Sequence, residues 1–405
     1  MTKQADVRIT DGKPSLARWR WAVTAAFALG GITVSAWGPR MPALKASLAV
    51  GPATIGLLLT GATAGAVLGL LASTPVLKAL GSRRALGGAI GLISAGLGVM
   101  SLAAAIASVP LIAAAFLLTG SGVGLLDVMI NVEGSAVERA AGRTLMPRLH
   151  GAWSVGIAAG AGIGAACAGL GISPAAQFAG EAVVIAGTAF AIAAGIPRGR
   201  REANGASRRS RAEALRHWLR GWLDWRLLLI GLVMLGCDLG EGGANSWLTL
   251  AARNDHGQSA AIAALFLTVF AVCEATTRIF AGPVVDRLGR VRTTRLTTGL
   301  GVIGVIAFIV GGNVVIILAG VAAWAVGVSM GFPLGMSAAA ESGPDPAARI
   351  SVVGSIGYVA NLAGPSIIGA LAQSVGLLSA LWVVAVMFGA AFAVAGSLRP
   401  RPAAS

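Results

Sequence analysis

The chain has 405 residues, 56% of them hydrophobic and only 12% charged. A soluble protein of that length needs more charge to cover its surface, and the apolar stretches leave no room for a separate soluble domain. A net charge of +15 would suit a nucleic-acid binder, but here the charge sits in short loops between apolar stretches, which argues against that class.

Stretches long enough to cross a bilayer, at about 20 residues each, fall near 20–39, 53–75, 86–107, 111–136, 150–171 and 177–196. Six more fall near 227–249, 259–280, 293–311, 314–337, 350–372 and 377–396. The first, from about Trp21 to Trp37, has no clear cleavage site and is read as a retained helix. The division expected is a tail over 1–19, a six-helix bundle over 20–197, a linker over 198–226, a second bundle over 227–397 and a tail over 398–405. The class is an all-α membrane protein with twelve transmembrane helices. Most of the 58 glycines lie inside spans, where small residues let helices approach closely, and Gly156, Gly160 and Gly164 form one such ridge. Cys167, Cys237 and Cys273 also fall in apolar stretches, without metal or disulfide spacing.

The basic residues orient the layout. With the N-terminus placed in the cytoplasm, 27 of the 31 Lys and Arg fall in cytoplasmic segments, and only Arg40, Lys45 and Arg253 fall on the other side, with Arg278 inside a span. Both termini are therefore expected inside, in a bacterial inner membrane. In the linker, Leu215, Trp218, Leu219, Trp222 and Trp225 recur at helical spacing, with Arg208, Arg211, Arg216 and Arg220 between them. That pattern suits an amphipathic helix at the headgroups, or simply a connector of the two halves.

Two loops repeat each other. Thr74-Pro-Val-Leu-Lys78-Ala-Leu-Gly81-Ser-Arg-Arg84 follows the second span, and Gly282-Pro-Val-Val-Asp286-Arg287-Leu-Gly289-Arg290-Val-Arg292 follows the eighth. Five of eleven positions match at the same place in each half, which indicates an internal duplication into two pseudo-symmetric six-helix bundles. The second copy resembles the loop motif of the major facilitator superfamily. The resemblance implies the major facilitator fold and a latch at the cytoplasmic ends of the helices. The first copy departs from the family, with Lys78 where Asp is expected, so its latch must differ. Gly122-Val-Gly124-Leu-Leu-Asp127-Val-Met-Ile-Asn131, then Leu149-His150-Gly151-Ala-Trp153-Ser154-Val-Gly156, resemble the fucose-permease-like and rhizopine-transporter-like bacterial branch, and Gly364-Pro365 after Tyr358 and Asn361 fits its eleventh helix. The resemblance implies proton-coupled movement of a sugar, polyol or amino-sugar-like solute by alternating access.

Charges at membrane depth are costly and mark candidate function. Asp127 and Asn131 share a helix face, with Glu138 on the same face toward the cytoplasmic end and Glu133 pointing elsewhere. Asp127 either couples protons, as the resemblance implies, or supports the cytoplasmic gate. In the seventh span Asp238, Glu241 and Asn245 share a face, with Trp247 beyond. They suit a hydroxylated or cationic ligand, with Glu241 and Asp238 also candidates for proton coupling, or an outer gate. Glu274 and Arg278, four residues apart, read as a self-satisfied pair, or as a pair in which Arg278 exchanges partners. Glu181 is a further titrating candidate in the sixth span. Trp37, Trp324, Tyr358 and Asn361 are candidates to line a solute cavity, although each aromatic equally suits packing or anchoring at the interface, and Trp153 belongs to the gate with the loop residues and His150, which suits a hydrogen-bonded interfacial position.

The leading expectation is a secondary transporter for a small polar solute driven by protons, without cofactor or metal and acting as a monomer. A drug or metabolite exporter is an alternative, although the fifth span lacks a Gly-Pro pair because Ala161 follows Gly160. A non-transporting sensor on the same scaffold is a further one. An enzyme is not expected, since no nucleotide loop, metal cluster or nucleophile–base spacing occurs.

Overall fold

A computed structural model describes residues 15–35, 37, 40–50, 52–197, 219–343 and 345–400. Side chains at 42, 45, 52, 53, 55, 56, 260, 261, 264, 358, 361–363, 365 and 366 are also outside that description, as are most of the linker residues singled out above (Arg208, Arg211, Leu215, Arg216 and Trp218). Tyr358 and Asn361 can therefore be placed on their helix but not assigned to a cavity.

The described residues are helical, in the order α1 (Leu16–Ser35), α2 (Met41–Leu48), α3 (Pro52–Ala105), α4 (Val109–Ala141), α5 (Met146–Gly169) and α6 (Pro174–Gly195). The second half follows with α7 (Trp225–Asn254), α8 (Ala260–Phe280), α9 (Gly282–Val310), α10 (Val314–Ser329), α11 (Gly331–Glu341), α12 (Pro346–Val375), α13 (Leu377–Ala380) and α14 (Trp382–Val394). Sequence chemistry sets many of the starts. Asp224, Ser173, Asn313 and Asp345 cap backbone N–H groups of the helices they precede. Proline stands in the first turn of α4, α5, α6, α9 and α12, where its missing N–H costs nothing.

Three expected boundaries change. The second and third spans form the single 54-residue α3. At 1.5 Å per residue it would run about 80 Å, far more than the roughly 30 Å of a hydrocarbon core. Gly81, at φ 72° and ψ 163°, breaks it into two crossings. Gly289 makes the same break in α9, at φ 77° and ψ 161°, so the duplicated loop is a duplicated backbone turn that only glycine adopts without strain. The tenth crossing is divided between α10 and α11, and the twelfth between α13 and α14. Counting α3 twice and these pairs once each, and leaving out the 8-residue α2, which is too short to span, the helices make up the twelve expected crossings.

Within the first half α1 packs on α5, and α3 on α4 and α6; within the second, α7 packs on α12 and α14, and α9 on α10. The α1–α5 contact uses the expected glycine ridge. A methyl group on Gly156 or Gly160 would overlap the backbone of Ala28 or Ile32. One apolar core runs from the first half across the seam to Leu227, Ile230, Val233, Met234, Leu334, Met336, Ile350 and Val353 of the second. A separate core of Phe266, Phe270, Phe308, Trp324 and Phe388 belongs to the second half alone. The seam is thus packed as protein interior at the end that carries the two glycine breaks, called here the loop-motif end.

A candidate polar site on the seam between the halves

Arg278 of α8 is the hub. It is 6% exposed and pairs with Glu274 one turn earlier. It also pairs with Glu241 of α7 at 2.8 Å, donates to the Ser329 carbonyl of α10 at 3.2 Å and to Ser154 Oγ of α5 at 3.1 Å. The expected self-satisfied pair is therefore too narrow a description. One guanidinium with five N–H donors serves two carboxylates, a carbonyl and a hydroxyl, and the hydroxyl belongs to the other half. Glu241 keeps 26% of its side chain exposed, against 7% for Arg278 and 9% for Glu274, so it is the most accessible of the three.

Asp238, one turn before Glu241, is 2% exposed. Asp127 of α4 is 5% exposed, and Asn131 holds it by donating to its carbonyl at 2.9 Å and to Oδ1 at 3.1 Å. Asn131 Oδ1 faces His150 Nε2 of α5 at 3.2 Å. An amide oxygen only accepts, so Nε2 carries the proton in this arrangement. The His150 ring meets Phe27 of α1 and Phe332 of α11 edge-on, at 5.0 and 5.2 Å between centroids, and so touches both halves. Trp153 packs its ring on Gly30 of α1, inside the first half.

Below this layer lie the contacts of the loop-motif end. Glu138 accepts from the Leu145 and Met146 amides at the start of α5, each at 2.7 Å, and from Ser337 Oγ of the other half at 2.5 Å. Arg290 binds Glu341 with two nitrogens, at 2.6 and 2.8 Å, and reaches Ser337 at 2.8 Å and Glu138 at 3.5 Å. Asp286 accepts from the Thr144 amide at 2.8 Å, just before α5. Lys78 meets Asp345, the cap of α12, at 2.6 Å. Ser351 of α12 donates to the Leu70 carbonyl at 3.0 Å. Gly282 packs against the Thr144 carbonyl, while Arg84 and Arg287 are exposed.

Other candidates lie elsewhere. Trp324 is fully buried with Phe270 and Phe308 in the core of the second half. It is corrected from cavity wall to packing residue, since a uniformly apolar helix gives no sign of which face meets its neighbours. Glu181 accepts from Gln177 at 2.8 Å on α6, away from the seam. Trp37 packs edge-on against Phe116 at 5.6 Å, and Trp247 against Gly369. Asn245 is exposed on α7. Sequence reasoning missed Glu133, which accepts from Trp19 Nε1 at 2.7 Å and from Ser82 Oγ, tying α1 and the first loop to α4. It also missed Asp345 and Ser154. An Asp just before Pro346 was a readable cap signal; a serine whose partner lies in the other half leaves none.

The Major Facilitator Superfamily model matches residues 230–405. An uncharacterised MFS-type transporter of Yersinia pestis is 29% identical over 366 residues, spanning 89% of this chain and 91% of its own length. The crystal structure of FucP in the outward conformation aligns with TM-score 0.78 at 13% identity, covering 94% of this chain and 99% of that one. A human organic anion transporter aligns at 0.75 and 16%, covering 94% and 100%. The two structural likenesses concern the fold alone. The family model thus matches the second half, an MFS-type relative is similar along most of the chain and the fold is shared across nearly all of it, so the chain is similar to transporters of the Major Facilitator Superfamily.

Proposed function

We propose that the chain moves a small polar solute, such as a sugar, polyol or amino-sugar-like compound, across the bacterial inner membrane by proton symport and alternating access. The observation that carries this reading is the polar layer on the seam. Five charged side chains, Asp127, Asp238, Glu241, Glu274 and Arg278, lie there on α4, α7 and α8. Burying them without a task costs several kcal/mol per group, at about 2.5–3.5 kcal/mol on insertion scales. Glu241 is the group we assign to the solute, with Asn245 and Trp247 next on its helix. Asp127 is the group we assign to the proton. The fold is shared with the fucose:proton symporter FucP of Escherichia coli, and equally with the human organic anion transporter, so the choice of solute rests on the residues of the seam.

In this reading the loop-motif end faces the cytoplasm, because the basic loops gather there. The cross-half contacts through Lys78, Glu138, Thr144, Arg148, Ser154 and Leu70 lie between that end and the level of Arg278. The structure then represents a state shut toward the cytoplasm. The solute enters from the opposite side, reaches Glu241, and leaves once the loop-motif contacts part.

The test is purified protein in proteoliposomes with an imposed pH gradient and labelled sugars, inositols and amines. Accumulation of one of them with the gradient, lost in Asp127→Asn, is expected. Accumulation only with the gradient inverted indicates export instead, and undiminished uptake by Asp127→Asn rejects the coupling role.

A further inference from the structure

On the outside of the second half, α14 packs against both α7 and α9, and the short turn that follows it (Ala395–Leu398) touches both as well. The outward stripe of α14 is low. Gly389, Ala393 and Gly396 recur on it and are exposed, and a methyl group added to Gly389 or Gly396 would meet nothing within 4 Å. The flanks stand higher, with Trp225 at the start of α7 71% exposed and Leu296 and Ile303 of α9 exposed on the other side. An apolar furrow therefore runs along α14 between its two neighbours.

Arginines crown the loop-motif end of that furrow. Arg292 and Arg295 are exposed and lie one turn apart on the stripe of α9 that continues into Leu296 and Ile303. Arg295 holds its guanidinium over the Phe392 ring of α14, 5.8 Å from the centroid. Arg226 of α7 donates from Nε to the Ser397 carbonyl at 3.2 Å and from Nη2 to the Arg399 carbonyl, which brings the exposed Arg399 to the same end. Neither Arg292 nor Arg295 forms an ion pair among the described residues. The neighbouring acids are engaged elsewhere: Asp224 caps α7 and holds Arg349, Glu341 holds Arg290, and Asp286 accepts from the Thr144 amide. Four guanidinium groups thus meet one end of an apolar furrow without a carboxylate to match them. A guanidinium binds a phosphate group through two parallel N–H bonds, and basic pockets between membrane helices suit anionic lipid headgroups. A zwitterionic headgroup brings its own ammonium and leaves the excess positive charge in place.

We propose that this furrow holds one anionic phospholipid of the leaflet at the loop-motif end. Its phosphate sits among Arg292, Arg295 and the corner formed by Arg226 and Arg399, and an acyl chain lies over Gly389 and Ala393. The lipid joins α7, α9 and the C-terminal turn. The site lies wholly within the second half and is independent of solute and proton movement.

Native mass spectrometry of the full chain in detergent, with phosphatidylglycerol or phosphatidylcholine added, tests this. The wild type should retain one phosphatidylglycerol in preference to phosphatidylcholine. Arg292→Gln with Arg295→Gln should bind phosphatidylglycerol about tenfold or more weakly. Arg83→Gln with Arg143→Gln removes the same charge from the first half and should leave the affinity unchanged. Gly389→Leu keeps every arginine, fills the furrow and should also weaken retention. Equal retention of the two lipids by the wild type marks annular lipid and overturns the site. A loss in the first-half control as large as in the α9 variant reduces the effect to surface charge and overturns it too. Should the double α9 variant fail to fold, Arg295→Gln alone serves, and an affinity unchanged in both that protein and Gly389→Leu overturns the proposal.

Discussion

The two copies of the loop motif share a backbone break and part company in charge. In the second copy Asp286 accepts directly from the amide before α5, and Arg290 gathers Glu341, Glu138 and Ser337. In the first, Lys78 stands at the Asp286 position and Ser82 at the Arg290 position. A cation cannot sit on a helix N-terminus, whose partial charge is positive. The structure resolves this with an intermediary: Asp345 caps α12 by accepting from the Ala348 amide and turns its other oxygen to Lys78. Ser82 in turn donates to Glu133, a carboxylate of its own half. The same mechanical contact, loop against the helix of the opposite half, is thus made with inverted polarity on one side. Duplication preserved the turn that glycine requires and left the charges free to vary as complementary sets.

The largest break expected in this comparison is Arg290→Ala. It leaves Glu341 and Glu138 without their cation in a mostly buried setting, and loss of one partner from such a network costs about 3–5 kcal/mol. Thermal unfolding in detergent should show a large drop, or no folded protein. Next is Lys78→Asp, which restores the family residue. It sets a carboxylate against Asp345, so it should be less stable than Lys78→Ala. Adding Asp345→Asn should recover most of the loss, because Asn caps a helix as well as Asp does. A Lys78→Asp protein as stable as wild type would contradict the inverted latch. Smaller effects separate the two roles of Asp345. Lys78 is one-third exposed, so Lys78→Ala should cost no more than about 1 kcal/mol. Asp345→Ala should cost about 1 kcal/mol more, because the cap goes with it.

The smallest effect concerns pH. Burial pushes the Asp224 carboxyl up, but hydrogen bonds from Arg349 and from the Leu227 and Arg226 amides outweigh it and hold it below the usual carboxylate range. Its contribution is complete above the ordinary carboxylate value and is lost as pH falls through the lowered one. Asp224→Asn should therefore unfold at lower temperature than wild type near neutral pH, and the gap should close in strong acid. A gap that is constant with pH would place the effect outside this carboxylate.

Much of the architecture was legible in the residues. The spans, the duplicated loop and Gly81 and Gly289 each follow from local properties: apolar length, repetition, and a residue type that accepts positive φ. The polar seam was partly legible, since Asp127, Glu241 and Arg278 stand out as charges in apolar stretches. Their partners were not. Lys78 and Asp345 lie 267 residues apart, and Ser154 meets Arg278 across the seam; such pairs depend on how the halves dock, which no helical period encodes. Trp324 shows the reverse problem, since a tryptophan in an apolar helix carries no mark of whether it faces a cavity or the core.

Two contacts of opposite polarity, Asp286 with the Thr144 amide and Lys78 with Asp345, close the loop-motif end. Ser351 is fully buried there, against the Leu70 carbonyl. In a background with the three native cysteines replaced, Ser351→Cys should be labelled slowly by a membrane-impermeant thiol reagent added from the loop-motif side. Labelling should speed up when Lys78→Asp is added and slow again with Asp345→Asn. Rapid labelling that ignores all three changes would show that this end is not held shut by these contacts.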